Sequence, residues 1–390
     1  MISWRSSSSR GLGLALLGVA LAAGCQPRVP EARPAPPRLA LFPVQNLSGG
    51  AAPIRDLTAA IRVQLLTQGV VLVPDEVVGR VLARHRIRYT GGVDREGAQA
   101  LREEAGADGV IIPALELYQP APPFRMAMSV RVVSTDAEPV VGWIGSVARG
   151  GNDTPGVLGM GLVLTMEILK DEALLELSTD LATWLRTASA RVPCPQVGSI
   201  SPRRAFRSPL LDDPGRRTVA VLPFLNDSGR RDAGDVVTLR FLAPLLANGT
   251  VRVVEPGVVR TELLLHRIGA SRGVSVDDAR VVLGLLGADV VLSGTVQRFD
   301  EAAGTTGAPA VELVTWALDR KTARLAWASS SAASGDDGVF FFGAGRVTTA
   351  SALTCGLARG TVAEMLEGRQ PLAIPKDSAG FAPRGAADAR

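Results

Sequence analysis

Val219-Ala220-Val221-Leu222-Pro223-Phe224-Leu225-Asn226-Asp227-Ser228-Gly229 is a short apolar run, a proline and an Asn-x-Ser-Gly turn. Leu39-Ala40-Leu41-Phe42-Pro43-Val44-Gln45-Asn46-Leu47-Ser48-Gly49 has the same form, 180 positions earlier. An apolar run of this length closed by Pro and a turn reads as a buried strand with a hard stop. Working outward, further landmarks recur in the same order. Val70-Val71-Leu72-Val73 meets Val251-Arg252-Val253-Val254, and His85-Arg86-Ile87 meets His266-Arg267-Ile268. Gly106-Ala107-Asp108 meets Gly287-Ala288-Asp289, Trp143 meets Trp327, and Gly159-x-Gly161 meets Gly343-x-Gly345. The offset drifts only from 180 to 184. A tandem duplication of one domain is the expectation, because the period is far longer than a solenoid repeat.

The chain has 390 residues, room for two domains of about 150 with tails. Aromatic residues make up only 4%, so the cores must be built from Ala, Val and Leu. The net charge is +4, yet only Lys170, Lys321 and Lys376 are lysines; the rest of the basic charge is arginine, scattered along the chain. A nucleic-acid binder gathers such charge on one face, so no nucleic-acid partner is expected.

Arg5 and Arg10 precede an apolar run over 11–23 that ends Ala22-Ala23-Gly24-Cys25. That is the layout of a secretory signal, with a run too short for a comfortable transmembrane helix. The segment resembles a bacterial lipobox, with Ala22 where Leu is usual. The resemblance implies a lipidated Cys25 after a signal over 1–24. Ordinary cleavage with a free Cys nearby is the alternative. Gln26 after the Cys implies outer-membrane sorting by the same resemblance. Segment 25–37 is rich in proline and reads as a semi-extended tether.

The first domain is expected over 38–186. Spacing predicts helices over 53–67, 75–87, 94–105 and 157–185, and strands over 70–73, 109–117, 125–133 and 139–147. A Pro- and Arg-rich linker over 187–217 reads as a solvated tether. The second domain, 218–367, repeats the order, with helices over 236–246, 258–268, 277–286 and 346–366. Pro244 predicts a kink or an early end to the first of these. Residues 368–390 read as a loose tail. The fold class is therefore α/β: two repeated domains, each a mixed sheet with packed helices in the order β-α-β-α-α-β-β-β-α.

The Val-Ala-Val-Leu-Pro-Phe-x-Asn strand, the Val-Arg-Val-Val strand, Gly287-Ala288-Asp289-Val290-Val291-Leu292-Ser293-Gly294 and the Asp319-x-x-Thr322 turn before Trp327 together resemble one superfamily. It comprises CsgG-like curli-secretion lipoproteins, the TolB amino-terminal domain and LpoB-like activators of penicillin-binding proteins. The first half departs from it at Pro113 (Gly294 in the second) and Leu47 (Asp227 in the second). The resemblance implies a periplasmic, non-enzymatic binding role, with a cell-wall synthase, a secretion component or another copy as partner. Curli-type channels insert long hairpins; segment 331–346 is too short for one.

Candidate chemistry is sparse. His85 and His266 stand at expected helix ends, where a cation suits the dipole. Asp108 and Asp289 open strands, where a turn or cap role is expected. No Cys/His cluster has metal-ligand spacing, and no cofactor is expected. Cys194 and Cys355 form a possible disulfide if the chain is exported. Phe340-Phe341-Phe342 is the one concentrated aromatic feature, either a buried strand end or a partner surface. The expectation is an outer-membrane lipoprotein on the periplasmic face that binds an envelope protein. The alternative is an oligomeric component of an envelope secretion or export assembly.

Overall fold

The computed structural model describes residues 36–153, 161–188, 197–212, 215, 217–269, 273–304, 307–339 and 345–368. The signal segment 1–24, Cys25, Gly159, Cys194, Phe340, Phe341, Phe342, Gly343 and the tail beyond 368 lie outside the described residues. The fold is mixed α/β, with two mixed sheets and eight α-helices among the described residues.

In the first sheet, β1 (Leu39–Leu41) and β2 (Gln45–Asn46) run parallel to β3 (Gly109–Gln119). Antiparallel β4 (Arg125–Ser134) and β5 (Val141–Gly150) follow. In the second sheet, β7 (Arg217–Val221) and β8 (Leu225–Asn226) run parallel to β10 (Val290–Asp300). Antiparallel β11 (Ala310–Asp319) and β12 (Leu325–Ser334) follow, with β9 (Val251–Val253) at the outer edge beside β7. The helices are α1 (Ile54–Thr67), α2 (Asp75–Arg84), α3 (Arg95–Ala105), α4 (Met166–Thr187), α5 (Ala233–Ala247), α6 (Pro256–Leu265), α7 (Val276–Leu285) and α8 (Ala350–Glu367).

Several expectations need correction. β1 and β7 stop before Pro43 and Pro223 as expected, at Leu41 and Val221, but the chain does not turn away there. Pairing lapses because the next N–H groups, of Val44 and Phe224, go to Thr58 Oγ1 and Thr238 Oγ1, and it resumes as β2 and β8. Segment 70–73 is not a full strand; it makes one parallel bridge, Leu72 to Leu39. Helices α4 and α8 begin later than periodicity predicts. Thr165 and Thr349 are extended N-caps whose side chains accept from the N–H of Ile168 and Ala352. Pro244 does not end α5 early; the helix runs on to Ala247. The proline lies in the last turn, where only one internal hydrogen bond is forfeited. The expected solvated linker is partly structured: β6 (Arg204–Arg207) adds to the edge of the second sheet beside β12.

Each sheet is covered on one face by a helix pair that forms its main core. Leu57, Ile61 and Leu65 of α1 and Leu169, Leu174 and Leu177 of α4 pack on Ile111, Met128 and Trp143. Phe241 and Leu245 of α5 and Leu353 and Leu357 of α8 pack on Leu292, Leu313 and Trp327. The smaller pairs, α2 with α3 and α6 with α7, cover one end of the opposite faces. The rest of that opposite face of the first sheet is covered by the second half: Ala114, Val141 and Ile144 join the α5 core, and Ala127 and Ala148 meet Ala352 of α8. Helix α5 is therefore apolar almost all round and sits between the two sheets. A bridge between Val140 and Val254 also crosses the junction.

Candidate functional site

The junction between the halves is where charge is concentrated and buried. Arg131 of β4 donates from Nε to Glu255 Oε2 at 3.2 Å and from Nη2 to Oε1 at 2.9 Å, with the two residues 1% and 0% exposed. Glu255 is also the N-cap of α6. Arg240 of α5 donates from Nε to Glu116 Oε2 at 2.8 Å, and both are equally buried. Arg125, wholly buried, donates to the carbonyls of Ala302 and Gly304 at 2.6 and 2.7 Å. Arg230 reaches the carbonyls of Leu47 and Glu116, its guanidinium 4.8 Å from the Phe299 ring centroid. Burial pulls Arg125 and Arg230 below the usual arginine value and pushes the carboxyl of Glu301 above its own. Charges out of water persist only when partnered, and here partners come from the opposite half. Backbones also close in: a Cβ on Gly257 would lie 2.3 Å from Val93 N.

Beside this junction lies a cavity of about 390 Å³. Gln45, Tyr89, Pro223, Asp235 and Arg260 are in its wall. The Arg260 guanidinium sits 4.3 Å from the Tyr89 ring centroid. Crowding by protein raises the Tyr89 hydroxyl and the Asp235 carboxyl above their ordinary values; Asp232 adds to the latter and Arg260 opposes both. The cavity offers one aromatic face, one cation and one carboxyl, which suits a polar peptide or small-molecule group.

The residues weighed from sequence for chemistry are engaged in shaping the chain. His85 and His266 are the C-caps of α2 and α6. Arg86 and Arg267 follow in the left-handed region at φ 54° and 56°. The N–H of Ile87 then bonds Leu82 O at 2.9 Å, and that of Ile268 bonds Leu263 O at 2.8 Å. His-Arg-Ile is thus a Schellman stop used twice. Asp108 Oδ2 accepts from Arg38 N at 2.8 Å and Asp289 Oδ2 from Thr218 N at 2.9 Å, pinning β3 and β10 beside β1 and β7. Asn46 and Asn226 accept from Ser48 N and Ser228 N, closing the Asn-x-Ser-Gly turns. Asp319 accepts from Thr322 N, as its turn motif requires. Cys355 is buried on α8 beside a second, apolar cavity of about 310 Å³.

Sequence reasoning missed Glu116, Arg131, Arg240 and Glu255. A signal was present: the first three are single charges inside apolar runs, as in Ile111-Ile112-Pro113-Ala114-Leu115-Glu116-Leu117. Among the described residues, no three His, Cys, Asp or Glu are grouped to hold a metal, and no helix is long and apolar enough to cross a membrane.

No family model matches the chain, and no curated protein does. Solved structures do. The PelC dodecamer from Paraburkholderia phytofirmans is 21% identical over 43% of this chain and 97% of its own, with a TM-score of 0.30. Lipoprotein GNA1162 from Neisseria meningitidis is 20% identical over 32% of this chain and 90% of its own, at 0.25. The LpoB C-terminal domain from Salmonella enterica is 18% identical over 30% and 86%, also at 0.25. LpoB is one of the proteins to which the strand and turn motifs pointed. Likeness at this level carries no argument about task.

Proposed function

We propose that this chain is an outer-membrane-anchored lipoprotein facing the periplasm that acts as a non-enzymatic, protein-binding adaptor of the cell envelope. The observation that carries the reading is that Asp108 and Asp289 latch strands, His85 Nε2 meets Glu104 Oε1 at 2.6 Å and His266 Nδ1 meets the Glu262 carbonyl at 2.9 Å. The side chains best suited to acid–base work are held in structural contacts. The address rests on the signal-like run before Cys25. Two halves descended from one ancestral domain belong to the same reading, supported by shared Schellman stops, Asx turns and strand latches. So do a Cys194–Cys355 disulfide and a partner surface at Phe340, Phe341 and Phe342.

In-cell crosslinking of the full chain with Cys25 intact, followed by identification of co-purified proteins, tests the role. One envelope enzyme or transport protein supports the adaptor. Loss of membrane fractionation in Cys25→Ser tests the anchor, and intact mass with and without reductant tests the disulfide. The second reading, a component of an oligomeric envelope assembly, is favoured by one observation: exposed apolar side chains lie on α1 and α4.

A further inference from the structure

We infer that the chain associates head-to-tail with copies of itself, the outer face of α1 and α4 of one copy covering the open face of the second sheet of the next. This repeats between chains the contact that α5 and α8 make with the first sheet within the chain.

The argument is one of equivalent positions. Thr58 Oγ1 accepts from Val44 N and Thr238 Oγ1 from Phe224 N, each just after the strand proline. That aligns α1 with α5, so Ala60 corresponds to Arg240 and Val63 to Ala243. The N-caps Thr165 and Thr349 align α4 with α8, so Ile168 corresponds to Ala352. Ala243 and Ala352 are buried, at 6% and 3% exposed; Val63 and Ile168 are 61% and 50% exposed. Leu66 and Leu175 extend the same exposed stripe.

The sheets show the converse. Glu116 and Gln297 are each the odd residue at a β-bulge, skipped where β3 meets β4 and where β10 meets β11. Arg131 pairs with Ile112 and Ile144, and Trp316 with Ser293 and Ala328, at matching register positions. On the first sheet Glu116, Arg131 and Ile144 are buried beneath the second half. On the second, Gln297 is exposed and Trp316 and Ala328 are half-exposed. Phe206 of β6 lies opposite Ala328 and is 52% exposed, extending the apolar row.

The chain thus carries one satisfied helix-to-sheet contact and one unsatisfied copy of each surface. The buried ion pair Glu116–Arg240 maps onto Gln297 and Ala60, so that pair has no charged counterpart between copies; Arg298 and Glu312, paired across the open face where the first sheet has Leu117 and Ala127, are oppositely charged neighbours at its rim. A contact between unlike faces is heterologous and builds a ring or a filament.

The inference deepens the assembly reading and is tested on purified protein, so its failure leaves the adaptor and its cell-based test standing. Sedimentation of the full chain in detergent is expected to show mass rising with concentration. Val63→Arg and Phe206→Arg, both at exposed positions, are each expected to give monomers with unchanged circular dichroism. Mixed together they keep one good face each, and a 1:1 dimer is expected. Under oxidation, Ala60→Cys with Gln297→Cys in one chain is expected to give a ladder of crosslinked copies beyond that of the parent chain. A wild-type monomer at every concentration overturns the inference. So does failure of the mixed variants to pair, or assembly without the added ladder.

Discussion

Arg240 on α5 and Glu116 on β3 meet at 2.8 Å, Nε to Oε2, although they stand 124 positions apart in sequence, and almost no solvent reaches either. Arg131 and Glu255 repeat that separation and that burial. Removing one member of such a pair strands a charge in the interior. Arg240→Ala is expected to cost about 3–5 kcal/mol in urea unfolding. Arg240→Met combined with Glu116→Gln is expected to recover much of that loss, since neither charge is then stranded. A loss in the double variant equal to the sum of the singles would show that the pair is not acting as a unit.

Arg86 and Arg267 hold left-handed backbone that an L side chain adopts at a cost. Arg86→Gly and Arg267→Gly are each expected to stabilise the fold by roughly 0.5–1 kcal/mol. Both arginines are exposed, so packing is not disturbed. Denaturant midpoints measure this, and an unchanged or lower midpoint refutes the helix-stop account.

Gly257 and Gly79 are both helical and make opposite predictions. A methyl group at Gly257 meets the Val93 backbone at 2.3–2.6 Å, and neither chain can yield without opening the junction. Gly257→Ala is expected to destabilise by about 1–3 kcal/mol or more and to raise susceptibility to proteolysis. At Gly79 nothing lies within 4 Å, and Gly79→Ala is expected to gain up to about 1 kcal/mol from helix propensity.

Glu301 is half-buried with its carboxyl enclosed, its Oε2 accepts from the Ala350 N–H at 2.9 Å, and burial raises the carboxyl above its ordinary value. An acid with a raised folded value binds its proton more tightly in the folded state. Its contribution to stability is present below the unfolded value and is lost as pH rises through the folded one. Glu301→Gln keeps an acceptor without the charge. It is expected to raise the thermal midpoint at pH 7 and to give no gain at pH 4. A gain equal at both pH values would rule out ionisation as the cause.

Much of each half was legible because its signals are local. The Asn-x-Ser-Gly turns and the Asp319 turn each satisfy a backbone group within a few residues. Residue type and spacing suffice to announce such contacts. The resumption of pairing after Pro43 was not foreseen because the Val44 N–H is taken by Thr58 of the following helix, a contact that interrupts the ladder without reversing the chain. The start of α4 was misjudged because apolar periodicity runs past its true cap at Thr165. The junction was not read at all. Glu116 and Arg240 satisfy each other across 124 residues, and neither neighbourhood names the other. The cavity at Tyr89 and Arg260 has the same origin, since its walls belong to both halves.

The placement of α5 has a consequence for the order of events during synthesis. A chain made from its N-terminus completes β3 and β4 with Glu116 and Arg131 still uncompensated. Their partners arrive only 124 residues later. Until then the first sheet has one covered face and one face bearing lone charges among Ala114, Val141 and Ile144. The early half is therefore held back from its final state by the absence of the later one. Maturation of the first half becomes a single late event, timed by the arrival of α5 and α6.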